Sequence, residues 1–349
     1  MDLDFTEDQV ALREMVEDFV EKESSVEVVR AAEPLGFSPA VWRKVVDMGL
    51  ATITVPEELG GGGAGFLDLA LAVEHFGAAL TPVPLIEAAV ANHALATYAP
   101  GAGDAAAALL GDAVAGDALV TLAVRPAVGG VATLVPGGAV ADAVLALDGD
   151  DLVVVRQTAI TPSSPADVIP NLGALPIADR PLGDGERIVL ASGPAAAEAH
   201  ARAVGQWEAL TATALVGAGQ RALDIGLEYV MERKAFGVLI GTFQTIQHRF
   251  ADDVTALDGA RLLAYEAAWA QDVGQANAGE LATMAFLFAG EAAFKTAAES
   301  LQFHGGYGYT LEYDIQLYFR RAKAWVLVAG DPKARYAELA HRVYGEKGA

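Results

Sequence analysis

Apolar residues in this chain change their spacing twice, near residues 118 and 193, and those two changes leave few architectures open. Before the first change they recur every three to four residues. Leu12, Met15, Val16, Phe19 and Val20 form one stripe, the mark of an amphipathic helix. Thr6 and Gln9 ahead of it read as a capping box, with Phe5 and Val10 placed as a hydrophobic staple. Ser38-Pro39 opens a second helix whose buried face is Trp42, Val45, Val46 and Leu50. Glycines 60–63 read as a flexible break, after which helical spacing runs over 66–80 and again, Ala-rich, over 85–110. Between the two changes lie short runs at 119–124, 131–135, 143–147, 152–155 and 187–190. They are rich in Val and Leu and separated by Gly, Pro and Asp, with Asp148-Gly149 as a hairpin signal. From 193 onward four long helical patterns cover about 195–230, 243–272, 279–303 and 315–345, with short Gly-containing links that suggest an antiparallel bundle. The expected fold is mainly α with a small β module. An N-terminal helical domain spans 1–117, a reduced, barrel-like middle β domain 118–192, and a C-terminal four-helix bundle 193–349.

A length of 349 residues fits two or three packed modules. The formal net charge of −23 rules against binding nucleic acid through phosphate neutralisation. Fourteen of the 23 Lys and Arg lie after residue 200, so an anionic ligand is expected in the C-terminal part. The absence of cysteine excludes disulfides, thiolate nucleophiles and Cys-ligated metals, and no metal site is expected. No apolar stretch is long enough to span a bilayer. The acidic start, Met1-Asp2-Leu3-Asp4, lacks the pattern of a secretory leader, and a cytoplasmic location is expected.

Three stretches in the last part of the chain carry a specific pattern: Glu232-Arg233-Lys234-Ala235-Phe236-Gly237, then Phe243-Gln244-Thr245-Ile246-Gln247-His248, then Gln302-Phe303-His304-Gly305-Gly306-Tyr307-Gly308-Tyr309. With the opening Phe5-Thr6-Glu7-Asp8-Gln9 and the loop Val55-Pro56-Glu57-Glu58-Leu59-Gly60-Gly61, they resemble the acyl-CoA dehydrogenase family in order and separation. The resemblance covers nearly the whole chain and is weakest over 120–190. It implies FAD as cofactor, an acyl-CoA substrate, and electron transfer to an electron-transfer flavoprotein. It also implies that Arg233, Phe236, Gln244, Gln302, Gly305 and Gly306 bind the FAD of a neighbouring subunit. The residue types suit that task. Arg offers a rigid fork of donors to phosphate oxygens, Gln both donates and accepts, and Gly lets a dinucleotide approach the backbone. His304 and His248 read as helix-end or interface histidines, and Arg320, Arg321 and Lys323 as packing or interface residues.

Members of the family remove a proton α to a thioester carbonyl with a carboxylate while the flavin takes the β-hydride. Most carry that Glu directly before a Gly, after an Arg-x-Ala-Lys segment. Here the segment reads Arg321-Ala322-Lys323-Ala324-Trp325-Val326-Leu327-Val328-Ala329-Gly330, which puts Ala329 at the base position. Asp331 lies two residues further on. A minority of members place the base on an earlier helix, a position that falls on Trp207, with Glu208 next to it as an alternative base. The family's flavin-facing Thr-Glu-Pro-Gly loop is matched only by Val124-Arg125-Pro126-Ala127. The chain therefore resembles the non-catalytic subunit of the two-plus-two acyl-CoA dehydrogenases of bacterial steroid breakdown. That resemblance implies a homologous catalytic partner and a steroid side-chain CoA ester as substrate. Two alternatives stay open: a self-sufficient homo-oligomeric enzyme using Glu208, and a non-redox structural or ligand-binding protein on the same scaffold.

Overall fold

A computed structural model describes residues 4–157 and 168–345, so Met1 to Leu3 of the acidic start lie outside the described residues. Helix α1 (Glu7–Glu23) begins on the capping box. The Thr6 hydroxyl accepts from the Gln9 amide at 3.2 Å, and the Gln9 side chain accepts from the Thr6 amide at 3.0 Å. Val16 and Val20 bury the stripe, whereas Met15 is exposed. Phe5, expected to staple onto Val10, sets its ring edge-on to Tyr265 in the bundle. After α2 (Val26–Ala32), helix α3 (Pro39–Asp47) is capped by Ser38. The glycines at 60–63 are not a flexible break. The amides of Gly61, Gly62 and Gly63 donate to the carbonyls of Pro56, Thr52 and Val55, and a Cβ on Gly61 would lie 2.1 Å from the Val55 oxygen. Glycine is needed there because the loop folds back onto its own backbone. Helices α4 (Phe66–Ala78), α5 (Leu85–Ala102) and α6 (Asp104–Ala115) follow. The expected single pattern over 85–110 breaks in two at Gly103, whose φ of 89° ends one helix and starts the next.

The strands are β1 (Val120–Leu122), β2 (Val131–Val135), β3 (Ala143–Asp148), β4 (Asp151–Arg156), β5 (Ala178–Pro181) and β6 (Glu186–Ser192). They form a four-stranded sheet in the order β1-β3-β4-β6 and a two-stranded sheet of β2 with β5. The Asp148-Gly149 signal is the turn of the β3–β4 hairpin, where Asp148 pairs with Asp151. Period-two alternation divides the strand side chains between two cores. Ala143, Leu145, Leu152 and Val154 join the main helical core. Val144, Ala146, Val153 and Val155 close against Ala132 and Val135 of the smaller sheet. Strand β5 escapes sequence analysis because Ala-Asp-Arg-Pro has little β character, yet Arg180 within it is fully buried. Its guanidinium is accommodated by the carbonyls of Gly138 and Ala141 at 2.6 and 2.8 Å.

The last part begins with α7 (Pro194–Glu232), a 39-residue helix packed on α4 and against α8 (Gln244–Asp272) and α9 (Ala278–His304). Between α7 and α8 the chain forms a short hairpin of β7 (Lys234–Ala235) and β8 (Val238–Leu239). The fourth expected helix is two, α10 (Ile315–Val328) and α11 (Pro332–Tyr344). Gly330, at φ 118°, and the Asp331 cap separate them, so five helices rather than four make up this region. Helices α4 and α7 meet through reciprocal glycines. A Cβ on Gly77 would stand 2.0 Å from the Ala214 carbonyl oxygen, and one on Gly217 would stand 2.0 Å from that of Glu74. The backbones must separate to admit even a methyl group. Gly77→Ala is therefore expected to cost about 1–3 kcal/mol, read as a lowered denaturant midpoint. An unchanged midpoint would mean that the crossing relaxes freely.

Candidate functional site

The first candidate region is one end of the bundle, where α7 finishes, α8 starts and α9 finishes. Arg233 is the C-cap of α7, and its backbone carbonyl accepts from Ile240 at 2.8 Å, closing the β7–β8 hairpin. At the tip of that hairpin Phe236 and Gly237 both take positive φ, 52° and 83°, and Phe236 is 96 % exposed. Gln244 is the first residue of α8. Gln302 lies in the last turn of α9, which ends on Gly305 at φ 61°. Aromatic packing draws these ends together. The Tyr229 ring stacks on His304 at 3.9 Å, and Phe250 lies 5.0 Å from Phe303. His304 is buried, its Nδ1 donates to the Ser300 carbonyl at 2.7 Å, and burial pushes its pKa down. It is a packing residue. His248 is exposed.

The side chains of Arg233, Gln244 and Gln302 are exposed, and none makes a hydrogen bond or ion pair with another described residue. A Cβ on Gly305 or Gly306 would meet nothing within 4 Å. Interior crowding therefore does not account for this glycine pair. The φ of Gly305 accounts for one member, and the other presents bare backbone to the surroundings.

The second region is the seam between the strands and α10. Ala329 is the C-cap of α10 and has no acid function. Asp331 is spent as the N-cap of α11, accepting from the Lys333 amide at 3.2 Å. Arg125, in the Val124-Arg125-Pro126-Ala127 stretch, lies directly on the end of α10. Its Nε donates to the Val328 carbonyl at 3.0 Å and its Nη2 to that of Leu327 at 3.1 Å. These are orphan carbonyls of a helix C-terminus, so the arginine acts as a cap. Trp207 is fully buried, and its indole N–H donates to Glu87 at 3.1 Å. Burial pushes the Glu87 carboxyl up. The cavity bordered by Glu87, Trp207, Arg321 and Val328 has a volume of about 40 Å³, space for little more than a water. Arg321 is buried, donates to the Gly173 carbonyl at 2.8 Å, and is pushed down to about 10 by burial. Arg320 reaches Glu33 and the Leu172 carbonyl, both at 2.7 Å. These arginines tie α10 to the segment before β5 and to the N-terminal helices.

Glu208 turns away from this seam. It is 1 % exposed, accepts from Thr283 of α9 at 2.6 Å, and forms an ion pair with Arg335 of α11. Burial pushes its carboxyl up against the opposing pull of Arg335. Beside the Arg125 cap an apolar cleft of about 370 Å³ is walled by Leu134, Ile169, Ile177, Leu327 and Val328. Of its polar side chains two are spent on the protein, and the third, Lys323, lies over the Phe294 ring without a hydrogen bond to a described residue. Both ends of the Asn171 amide bond to backbone of Ile169 and Leu175, and Arg320 is paired as above. Glu87 in this seam and Arg335 as the partner of Glu208 were not legible in the sequence. The only available signal for Glu87 was an acid inside an otherwise Ala-rich helix.

Residues 6–116 match the family described as acyl-CoA dehydrogenase, N-terminal domain, and residues 202–343 match acyl-CoA dehydrogenase, C-terminal domain. Acyl-CoA dehydrogenase IpdE2 of Mycolicibacterium smegmatis is 31% identical over 343 residues, covering 97% of this chain and 100% of the relative. The chain belongs to the acyl-CoA dehydrogenase family. IpdE2 of Mycobacterium tuberculosis is also 31% identical, over 97% of this chain and 98% of the relative. Among solved structures, the ChsE4-ChsE5 complex from Mycobacterium tuberculosis superposes with a TM-score of 0.85 at 25% identity, covering 100% of both chains. A glutaryl-coenzyme A dehydrogenase in complex with glutaryl-CoA shares the fold, with a TM-score of 0.86 at 23% identity over 99% of this chain and 98% of that one.

Acyl-CoA dehydrogenases are FAD flavoproteins. The two regions of this family member fit that cofactor differently. At the bundle end, a free guanidinium, two free carboxamides, an exposed aromatic ring and bare glycine backbone suit a phosphate-bearing dinucleotide tail. At the seam, the cleft beside α10 offers apolar walls, with Asn171 and Arg320 engaged and Lys323 the one polar side chain left without a hydrogen bond to a described residue, which suits the polar edge of a flavin ring poorly. Among the described residues no helix is long and apolar enough to cross a membrane, and no cluster of acid and His groups could hold a metal.

Proposed function

We propose that this chain is a non-catalytic subunit of a heteromeric, FAD-dependent acyl-CoA dehydrogenase. In this reading Arg233, Phe236, Gln244, Gln302, Gly305 and Gly306 grip the dinucleotide tail of an FAD whose ring lies in a homologous catalytic partner. The FAD there accepts the hydride lost when an acyl-CoA becomes an enoyl-CoA, and passes electrons to an electron-transfer flavoprotein. This chain supplies phosphate and adenine contacts and a packing surface, while the partner supplies the carboxylate base. The proposed acyl group is a bulky one, a steroid side-chain CoA ester, as the resemblance implies.

One contrast carries the reading. The polar groups at the bundle end are unengaged among the described residues, whereas α10 ends in Ala329, which has no acid function, with Arg125 on its last carbonyls. A decayed enzyme would have no reason to keep the first set while losing the second. The likeness to a chain of the ChsE4-ChsE5 complex, itself named as an assembly of two proteins, supports a heteromeric arrangement. The test is visible absorbance. The chain produced alone is expected to be colourless and inactive, and to acquire bound flavin when co-produced with a homologue carrying Glu before Gly at the end of its α10. Yellow, active protein from this chain alone would overturn the reading. Glu208→Gln separates the self-sufficient alternative, because activity of the assembled complex is expected to survive it.

A further inference from the structure

At the other end of the bundle from Arg233, an open depression of about 860 Å³ lies where α7, the α8–α9 connection, α11 and the N-terminal helices meet. Its floor holds Gln206, which is 4 % exposed and makes no hydrogen bond with any described residue. Its amide is not sealed from solvent, so it is open to a molecule that fills the depression. Arg202 stands one turn earlier on the same face of α7 and is likewise without a partner among the described residues. From the opposite wall comes Arg342, held in place by a 2.9 Å bond from one Nη to the Thr283 hydroxyl, which leaves its other donors unengaged. His93 completes the set. Its Nδ1 donates to the Thr54 carbonyl at 2.9 Å and its ring packs edge-on to Phe66, leaving Nε2 as its uncommitted nitrogen.

Two acids share the lining. Asp272 also borders the depression, but its two oxygens accept from the amides of Phe66 and Leu67 at 2.6 and 2.9 Å, so it is committed to capping α4. Glu280, in the first turn of α9, is the remaining acid of the lining and gains from the dipole of that helix. Arg342 also feels the charge of Glu208, whereas Arg202 has no ion pair with a described residue. In a chain of net charge −23, two arginines facing one depression beside an open amide are a local exception.

We infer that this depression is a binding site for a small oxyanion-bearing molecule, a phosphate or carboxylate held between Arg202 and Arg342 with Gln206 bonding an adjacent polar group. Planar guanidinium groups on two walls suit delocalised oxyanions. The site is independent of the bundle-end region and of the chain's role toward a partner.

The test is isothermal titration of the full-length chain, alone and in its complex, at constant ionic strength. One arm uses inorganic pyrophosphate and the other citrate, which separates a phosphate ligand from a carboxylate ligand. At least one is expected to bind saturably at a site where Arg202→Ala weakens affinity about tenfold or more and Arg202→Lys weakens it less. Arg202 is exposed, so these variants keep the fold. Arg233→Ala, at the other end of the bundle, is expected to leave this binding unchanged. The inference is overturned if neither anion saturates, meaning that water alone serves Gln206. It is also overturned if Arg202→Ala has no effect or if Arg233→Ala abolishes the binding.

Discussion

Arg233→Ala is expected to strip flavin from the assembled complex while leaving the complex assembled. The guanidinium has no partner among the described residues of its own chain, so its removal orphans none of them and should not unfold the subunit. What it removes is a charge-assisted contact to a phosphate. Truncating one member of such a pair costs about 2–3 kcal/mol, which corresponds to FAD binding weaker by roughly 30- to 150-fold. The measurement is flavin content per complex by absorbance after gel filtration, with a titration of added FAD to read the dissociation constant. Phe236→Ala should act in the same direction more weakly, because the exposed ring offers stacking rather than charge. Should Arg233→Ala leave flavin content untouched, the bundle end is not a dinucleotide site and a non-redox role on this scaffold becomes the better account.

Those expectations concern residues that were legible in the sequence because their signal is local. The Arg233–Gly237 turn, the start of α8 and the Gln302–Gly306 helix end are each contiguous motifs, and their order identifies the family. The helices were legible for a related reason. Caps such as Thr6 with Gln9, and Ser38 with Pro39, sit within a few residues of the stripes they start. Failures came where the deciding contact is distant in sequence. Nothing near Ala178 announces β5, because the strand exists through pairing with β2 and the burial of Arg180 among carbonyls some forty residues away. Breaks inside long Ala-rich patterns, at Gly103 and at Gly330 with Pro332, were passed over because Ala keeps helical spacing plausible on both sides. The glycines at 60–63 were read as looseness, although a Cβ there would collide with Val55, which only the folded loop reveals.

The seam shows the same limit in sharper form. The sequence alone located Ala329, Trp207, Glu208 and the Val124–Ala127 stretch as departures from the family pattern, but not what each now touches. Replacing an acid by Ala329 removes a proton acceptor. Placing Arg125 on the last carbonyls of α10 adds a tie between strands and bundle, and Trp207 is buried with its indole on Glu87. At the end of α10 a cap from the strand side thus stands where the family pattern has an acid. That is why the seam is better described as a joint than as a damaged pocket.

The ion pair of Glu208 with Arg335 tests whether Glu208 is committed to packing rather than to chemistry. Glu208 is nearly inaccessible, and its other protein contact is a hydroxyl, so Arg335→Ala would leave a carboxylate buried without its main counter-charge. Removing one partner of a buried pair costs about 3–5 kcal/mol, against 1 or less for an exposed one. A fall in melting temperature on the order of 5–10 °C is expected. The sign of its pH dependence follows from the protonation of Glu208. Burial already pushes that carboxyl up, and Arg335 is the largest influence holding it down, so the variant raises it further. A carboxyl raised in the folded state binds its proton more readily folded than unfolded. The deficit of the variant is therefore present at neutral pH and shrinks as the pH falls through the raised value. Adding Glu208→Gln to Arg335→Ala should recover most of the lost stability at neutral pH, since an amide can keep the Thr283 contact without a charge to bury. A deficit that is small, or that does not respond to pH or to Glu208→Gln, would mean that the pair is solvated. Glu208 would then be available for chemistry, and the self-sufficient enzyme would regain its base.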